Sequence, residues 1–279
     1  MPLTTLSGGL EELIDESSGR EIVTTPVVIN RFEELTKKYE KFLGIEYARR
    51  VWAQGHVQDV VLPGDISLFL QSTHEFENHT NYNDNTGPFI SQLIQNSYNA
   101  GNNDFEFGMN LSKQVDYFAS SVSGAKERTV RVVITGEVGN CCESRVQHST
   151  FTIEKVGNQC GQYAEHSIFT IGKAGNACGF NAKHSTFRVR EAEDGCGYEA
   201  KHSTLTIGKA GDLCGWNAQY STFTIEKAEN DCGIKAEYSI FRTHNPEQFN
   251  QFKKSVPRKN GNALYLLSSD GSVLKGGKW

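Results

Sequence analysis

Histidine recurs every 18 residues at His148, His166, His184 and His202, and the same column continues as Tyr220 and Tyr238. Imidazoles lined up by a repeating fold are groups that bind a transition metal or titrate together as a pH switch. The two tyrosines, and the free variation of Glu, Lys and Gln beside the column, favour a stacked aromatic stripe near a turn. Cysteine returns with the same period at Cys142, Cys160, Cys178, Cys196, Cys214 and Cys232, so the first four units read Cys-x5-His. Such a pairing has the elements of a thiolate metal site or a Cys-His nucleophile, but a catalytic site needs one differentiated environment and the repeat supplies several alike. Thiols on stacked coils share a direction instead of facing each other, so reduced, buried cysteines packed in a core are the expectation.

Carboxylates concentrate at Glu191, Glu193, Asp194 and Asp212. Asp194 and Asp212 fall on adjacent units, where stacking at roughly 4.8 Å approaches the ~5 Å separation of a retaining glycosidase pair. They are the candidate catalytic pair of an acidic edge that would bind or cleave a glycan. Their column reads Asn140, Asn158, Asn176, Asp194, Asp212 and Asn230, a choice that turn chemistry explains equally. The pairs Thr150/Thr152, Thr204/Thr206 and Thr222/Thr224 resemble the ice-binding face of β-helical antifreeze proteins. Ile168, Arg188, Ile240 and Arg242 interrupt that array, and threonine is in any case a favoured residue on a solvated strand face. The run from His74 to His79 gathers possible ligands without metalloprotease spacing and reads as a solvated loop. Neither a phosphate-cradling glycine motif before a helix, nor a serine elbow, nor a Cys-x-x-Cys pair is present.

These residues are held by an 18-residue unit that repeats six times. Gly161, Gly179, Gly197, Gly215 and Gly233 follow the cysteines; Ala164, Ala182, Ala200, Ala218 and Ala236 come three places later. Phe151, Phe169, Phe187, Leu205, Phe223 and Phe241 alternate with threonine, the period-two pattern of a strand. Each unit therefore reads as turn then strand, and six such units make a solenoid in which no unit buries its apolar face alone. Eighteen is also three hexads, but no hexad register of residues 160–177 places an aliphatic residue at all three corners, which excludes the left-handed hexapeptide helix.

The unit Lys209-Ala-Gly-Asp-Leu-Cys-Gly-Trp-Asn-Ala-Gln-Tyr-Ser-Thr-Phe-Thr-Ile225 resembles the glycine-rich repeat of the right-handed β-helix found in the C-terminal domain of the glutamate synthase large chain and in one chain of formylmethanofuran dehydrogenase. The resemblance covers residues 136–243. Ser203 and Ser221 stand where that family favours glycine, and cysteine takes a position that is usually aliphatic. The resemblance implies a right-handed β-helix serving as a structural element within a larger enzyme, with no catalytic residues of its own.

Upstream, Asn30 and Glu33 form a capping box before Phe32, Leu35, Tyr39, Phe42 and Leu43, predicting a helix of about 12 to 20 residues that Gly44 interrupts. Tyr47, Val51 and Trp52 continue its apolar series. The segments 60–62 and 66–70 read as strands around a Pro63-Gly64 turn, and a second helix is expected from Thr86 or Pro88 to Ala100. Strands are expected at 103–107 and 129–134, the latter opening the solenoid with one extra residue in the first coil. After the repeats, Asn245-Pro246-Glu247 starts a short helix carrying Phe249 and Phe252, and residues 263–274 form a hairpin. Together these segments cover both ends of the helix.

The chain has 279 residues, 22% of them charged, and a net charge of -5, which excludes the basic field that a phosphate backbone requires. No stretch has the apolar length of a signal core or of a membrane span, about 18 residues. The reading is a mainly β, cytoplasmic protein: an α+β domain over 1–128, a single-stranded right-handed β-helix of about six coils over 129–243, and a helix-hairpin cap over 244–279. Its expected role is non-catalytic, structural or protein-binding, with a protein partner or larger complex. Nucleic acid, membrane and cofactors are not expected.

Overall fold

The computed structural model describes residues 32–46 and 57–278. Its centre is one ten-stranded sheet in which β1 (Asp104–Met109), β2 (Val130–Val138), β3 (Ser149–Val156), β4 (Ile168–Ala174), β5 (Thr186–Ala192), β6 (Thr204–Ala210), β7 (Thr222–Ala228), β8 (Ile240–Thr243), β9 (Ala263–Leu267) and β10 (Val273–Lys278) pair in chain order. Every pairing from β1 to β9 is parallel, and β3 to β8 pair residue i with i+18. This is the expected β-solenoid, of about six turns.

The alternation read from sequence sets the two faces. Phe151, Phe169, Phe187, Leu205, Phe223 and Phe241 are fully buried, with the Ile153-to-Ile225 column beside them. Because the register repeats, like packs on like: the Phe169 and Phe187 rings lie 4.5 Å apart at 2°, and Phe223 and Phe241 lie 5.0 Å apart at 6°. Opposite this column stand the glycines. Gly197 has φ +68°, and a Cβ there would lie 2.7 Å from Leu205 Cδ2 and 2.8 Å from Phe223 Cε1. The left-handed backbone favours glycine, and the side chains behind it leave no room for a Cβ.

The solenoid starts one strand earlier than the sequence suggests. β2 does not open it, because β1 pairs with β2 from Asp104↔Arg131 to Met109↔Gly136. The extra residue of the first coil is real and sits in β2: Val132 and Ile134 pair 19 residues on, Glu137 and Val138 pair 18 on. The register change falls at Gly136, φ +89°, a bulge that absorbs one residue. The arc at residues 116–124 follows β1 and bridges the first repeat at Ser123↔Gln147, although it lacks the cysteine that marks every repeat.

Helix α1 (Glu33–Leu43) buries Leu35, Tyr39, Phe42 and Leu43 as expected and stops at Gly44 after 11 residues. Phe32 holds its N-cap position without a side-chain bond, and Glu33 pairs with Lys37 at 2.8 Å. Asn30, Tyr47, Val51 and Trp52 lie outside the described residues. The expected strand at 66–70 is instead part of helix α2 (Pro63–Ser72). Pro63 at the first position is preorganised for a helix. Ile66, Phe69 and Leu70 are buried while Leu68 stays exposed, which is i, i+3, i+4 spacing and not alternation.

Helix α3 (Tyr82–Asn99) begins four residues before the earliest start expected, with Pro88 inside it. A proline there removes one backbone bond. Thr86 and Ser91 hydroxyls donate to the carbonyls of Tyr82 and Gly87, each at 2.6 Å. Helix α4 (Pro246–Ser255) has the expected cap, Asn245 accepting from the Glu247 and Gln248 amides, and sets buried Phe252 against Phe241 at 5.8 Å.

The C-terminal hairpin is also as expected, but its first strand joins the sheet and β10 becomes an exposed edge. Two lysines and a register shift between Val273 and Lys275 blunt that edge. At the other end α2 packs on β1, where the Gln71 amide donates to the Gly108 carbonyl.

Gly197→Ala is expected to cost about 2–4 kcal/mol, the sum of a left-handed backbone and an overpacked core. Gly64→Ala, in helix α2 with open space around it, is expected to be neutral or slightly stabilising. Urea denaturation of the two variants measures the contrast.

Candidate functional site

Each coil turns through four residues of positive φ, three of which are usually not glycine. In one coil these are Ala177 (58°), Gly179 (68°), Asn181 (53°) and His184 (49°). Alternating left-handed residues direct Cys178 and Ala182 inward, both fully buried, while His184 projects outward. The same geometry in every coil makes the columns.

The histidine column is a stack. His148, His166, His184, His202, Tyr220 and Tyr238 have successive ring centroids 5.1, 5.0, 4.9, 5.0 and 5.0 Å apart, with planes within 6°. Parallel rings at this separation present their edges to solvent and do not converge on a point. Among the described residues, no three His, Cys, Asp or Glu side chains are placed to hold a metal ion. Tyr220 and Tyr238 are 53% and 55% exposed, so the stripe is an accessible surface. A second stripe lies in the same arc: Phe180 stacks on Tyr198 at 5.5 Å and Tyr198 on Trp216 at 4.4 Å, with Tyr163 edge-on to Phe180 and the Lys235 ammonium 4.6 Å from the Trp216 ring. Its signal was an aromatic residue two places after the cysteine in three successive units.

Asp194 and Asp212 are held by turn chemistry. Asp194 Oδ1 accepts the Asp212 amide at 2.9 Å, and Asp212 Oδ1 accepts the Asn230 amide at 2.7 Å. Asn140, Asn158 and Asn176 make the same bond to the following coil at 3.0, 2.8 and 3.0 Å. Asp116 begins the series, accepting the Asn140 amide at 2.6 Å. Burial raises the Asp116 carboxyl from its ordinary value, with the Asn140 amide working against that and nearby Asp84 adding to it. Beside this ladder lies a cleft of about 430 Å³ lined by Lys173, Glu191, Glu193, Asp194, Lys209 and Glu229. Asp212 does not line it.

The seven cysteines are thiols and not disulfides, and all six ladder positions are buried. Burial pushes the Cys160 thiol up to about 11. Thiol-to-thiol hydrogen bonds with neighbouring rungs, then burial, raise Cys178 and Cys214 well above the usual range. The same thiol hydrogen bonds, received from both neighbours, lower Cys196 between them, with burial opposing. A nucleophile or metal ligand needs the thiolate, which the environment of Cys142, Cys160, Cys178 and Cys214 suppresses, and Cys196 is fully buried between its neighbours.

The ladder ends on a residue that the spacing did not single out. Glu143 stands in the glycine column, 18 residues before Gly161, with φ 50°. Its side chain is fully buried and accepts the Cys160 thiol at 3.5 Å through Oε2, while Oε1 has no partner among the described residues.

The segment at 74–79 is not the expected solvated loop. A short 3-10 helix spans Thr73–Phe76, and Glu77, 8% exposed, accepts the Ser112 amide at 2.9 Å. His74 and His79 stay exposed and use Nδ1 for local contacts with the Gln71 carbonyl and the Asn81 amide.

Native protein is expected to expose about one of its seven thiols to an aromatic disulfide reagent, Cys141, and all seven once unfolded. Asp194→Asn keeps the acceptor and is expected to change stability by less than about 0.5 kcal/mol. Asp194→Ala leaves the Asp212 amide without it and is expected to cost about 1 kcal/mol. Equal losses in denaturant midpoint for the two would contradict the ladder role.

Comparison of the chain with protein-family models, with curated proteins and with solved structures yields no match.

Proposed function

We propose that this protein is a non-catalytic β-solenoid that acts in the cytoplasm as a structural or protein-interaction element of a larger complex. The supporting observation is that the columns of chemically capable side chains are committed to contacts between coils. The cysteines form a buried ladder, Asp194 and Asp212 close turns, and the histidines stack on one another. Repeat environments of this kind give rigidity and a flat lateral surface, not a differentiated reaction centre.

The docking surface in this reading is the aromatic arc. Tyr and Trp are enriched where protein interfaces bury their centre, and this arc gathers Tyr163, Tyr198, Trp216, Tyr220 and Tyr238 with Glu165 and Lys183 paired beside them at 3.1 Å. With helices on one end and a lysine-bearing edge on the other, a partner has the lateral face to use. The glycine-rich β-helices that this repeat resembles serve inside larger enzymes, in keeping with such a role. The charged cleft at Asp194 supports a second reading, a glycan-binding edge.

Native mass spectrometry of tagged protein from its source cells separates the two. A stoichiometric protein partner is expected, lost from a Tyr198→Ser/Trp216→Ser/Tyr220→Ser variant whose melting temperature stays within a few degrees of the parent. A chain recovered without protein but carrying saccharide, released by Glu193→Gln, would overturn the scaffold reading in favour of the cleft.

A further inference from the structure

Glu143 is the one member of its column that is not glycine, and it sits where the repeats meet the irregular part of the chain. Its amide donates to the Phe118 carbonyl at 2.8 Å, which ties the first repeat to the arc 116–124. Its carboxyl points into an interior where, among the described residues, the Cys160 thiol is its one hydrogen-bond donor and no cation pairs with it. The other titratable groups nearby are Cys142, which carries no charge at neutral pH, and Asp116, across the Cys142 rung. Neither supplies positive charge. A carboxylate in this position would be buried without compensation, whereas the neutral acid costs far less.

We infer that Glu143 is a proton-controlled latch between the N-terminal arc and the first coil: protonated, it lets the coil close on the Phe118 segment, and ionised, it must leave the core and open that joint. Burial pushes its pKa up to about 8 against an ordinary 4.5, the Cys160 hydrogen bond acting in the opposite sense. The closed form therefore holds the proton that the open form releases. Its contribution is complete below pH 4.5, falls as pH rises, and is gone above about pH 8. Between those limits the open fraction rises tenfold per pH unit and then levels off.

Hydrogen-exchange mass spectrometry on the full chain across pH 5 to 9 reads this directly. After correction for base-catalysed chemistry, exchange in peptides from 116–124 and 140–147 is expected to rise about tenfold per unit to pH 8, with peptides from 196–238 unchanged. Glu143→Gln is expected to abolish the rise, as is Glu143→Gly, which installs the residue that later coils use and so secures folding. Cys160→Ala removes the thiol that donates to the carboxylate and is expected to move the plateau to higher pH. A slope that persists in both Glu143 variants, or one of equal size in the distant coils, would overturn the latch.

Discussion

The fold depends on one constraint: most backbone amides in the turns find their partner in a neighbouring coil, so the coils must hold an 18-residue register. Two ladders enforce it from opposite sides. Asn and Asp side chains accept amides from the following coil, as Asn158 does from Asn176 at 2.8 Å. Serine hydroxyls accept from the preceding one, as Ser185 does from Ser167 at 3.2 Å. Each serine hydroxyl also donates within its own coil, Ser185 to the Lys183 carbonyl at 2.8 Å. The serine rungs are buried, so they pair backbone amides that water does not reach, while the Asn and Asp rungs hold the exposed turns.

Ladders of this kind need terminators, and the structure supplies residues from outside the repeat. Asp116 begins the Asn/Asp series, and Asn262 ends the serine series by accepting the Ser239 amide at 2.8 Å while donating to the Ala236 and Pro257 carbonyls. The distinctive chemistry of the molecule lies at such boundaries. The interior coils are nearly interchangeable, whereas the first one carries Glu143 in place of glycine and a bulge at Gly136.

How much was legible in the sequence follows from the same division. Where residues recur with a fixed period, spacing alone identified the buried Phe and Cys columns, the stacked His/Tyr stripe and the turn role of Asp194 and Asp212. Where the chain does not repeat, periodicity had to be read from a few residues, and Ile66 to Leu70 satisfied both strand and helix patterns until Leu68 proved exposed. The arc 116–124 was invisible because Phe118 and Ala119 replace the Cys-Gly pair that marks later coils, although Tyr117, Ala119 and Ser121 keep the same positive φ. Glu143 escaped notice for a related reason: a column of identical glycines draws attention to its members, not to the place where it breaks.

The paired ladders also make the solenoid a ruler. Every interior coil offers each neighbour the same kind of acceptor that it takes from the other, so one 18-residue block can be copied or removed without orphaning an amide. Each such step changes the length by about 4.8 Å and leaves both terminators intact. The span between the N-terminal helices and the C-terminal hairpin is thus set by the number of blocks, and can be adjusted in evolution or by design independently of what either end binds.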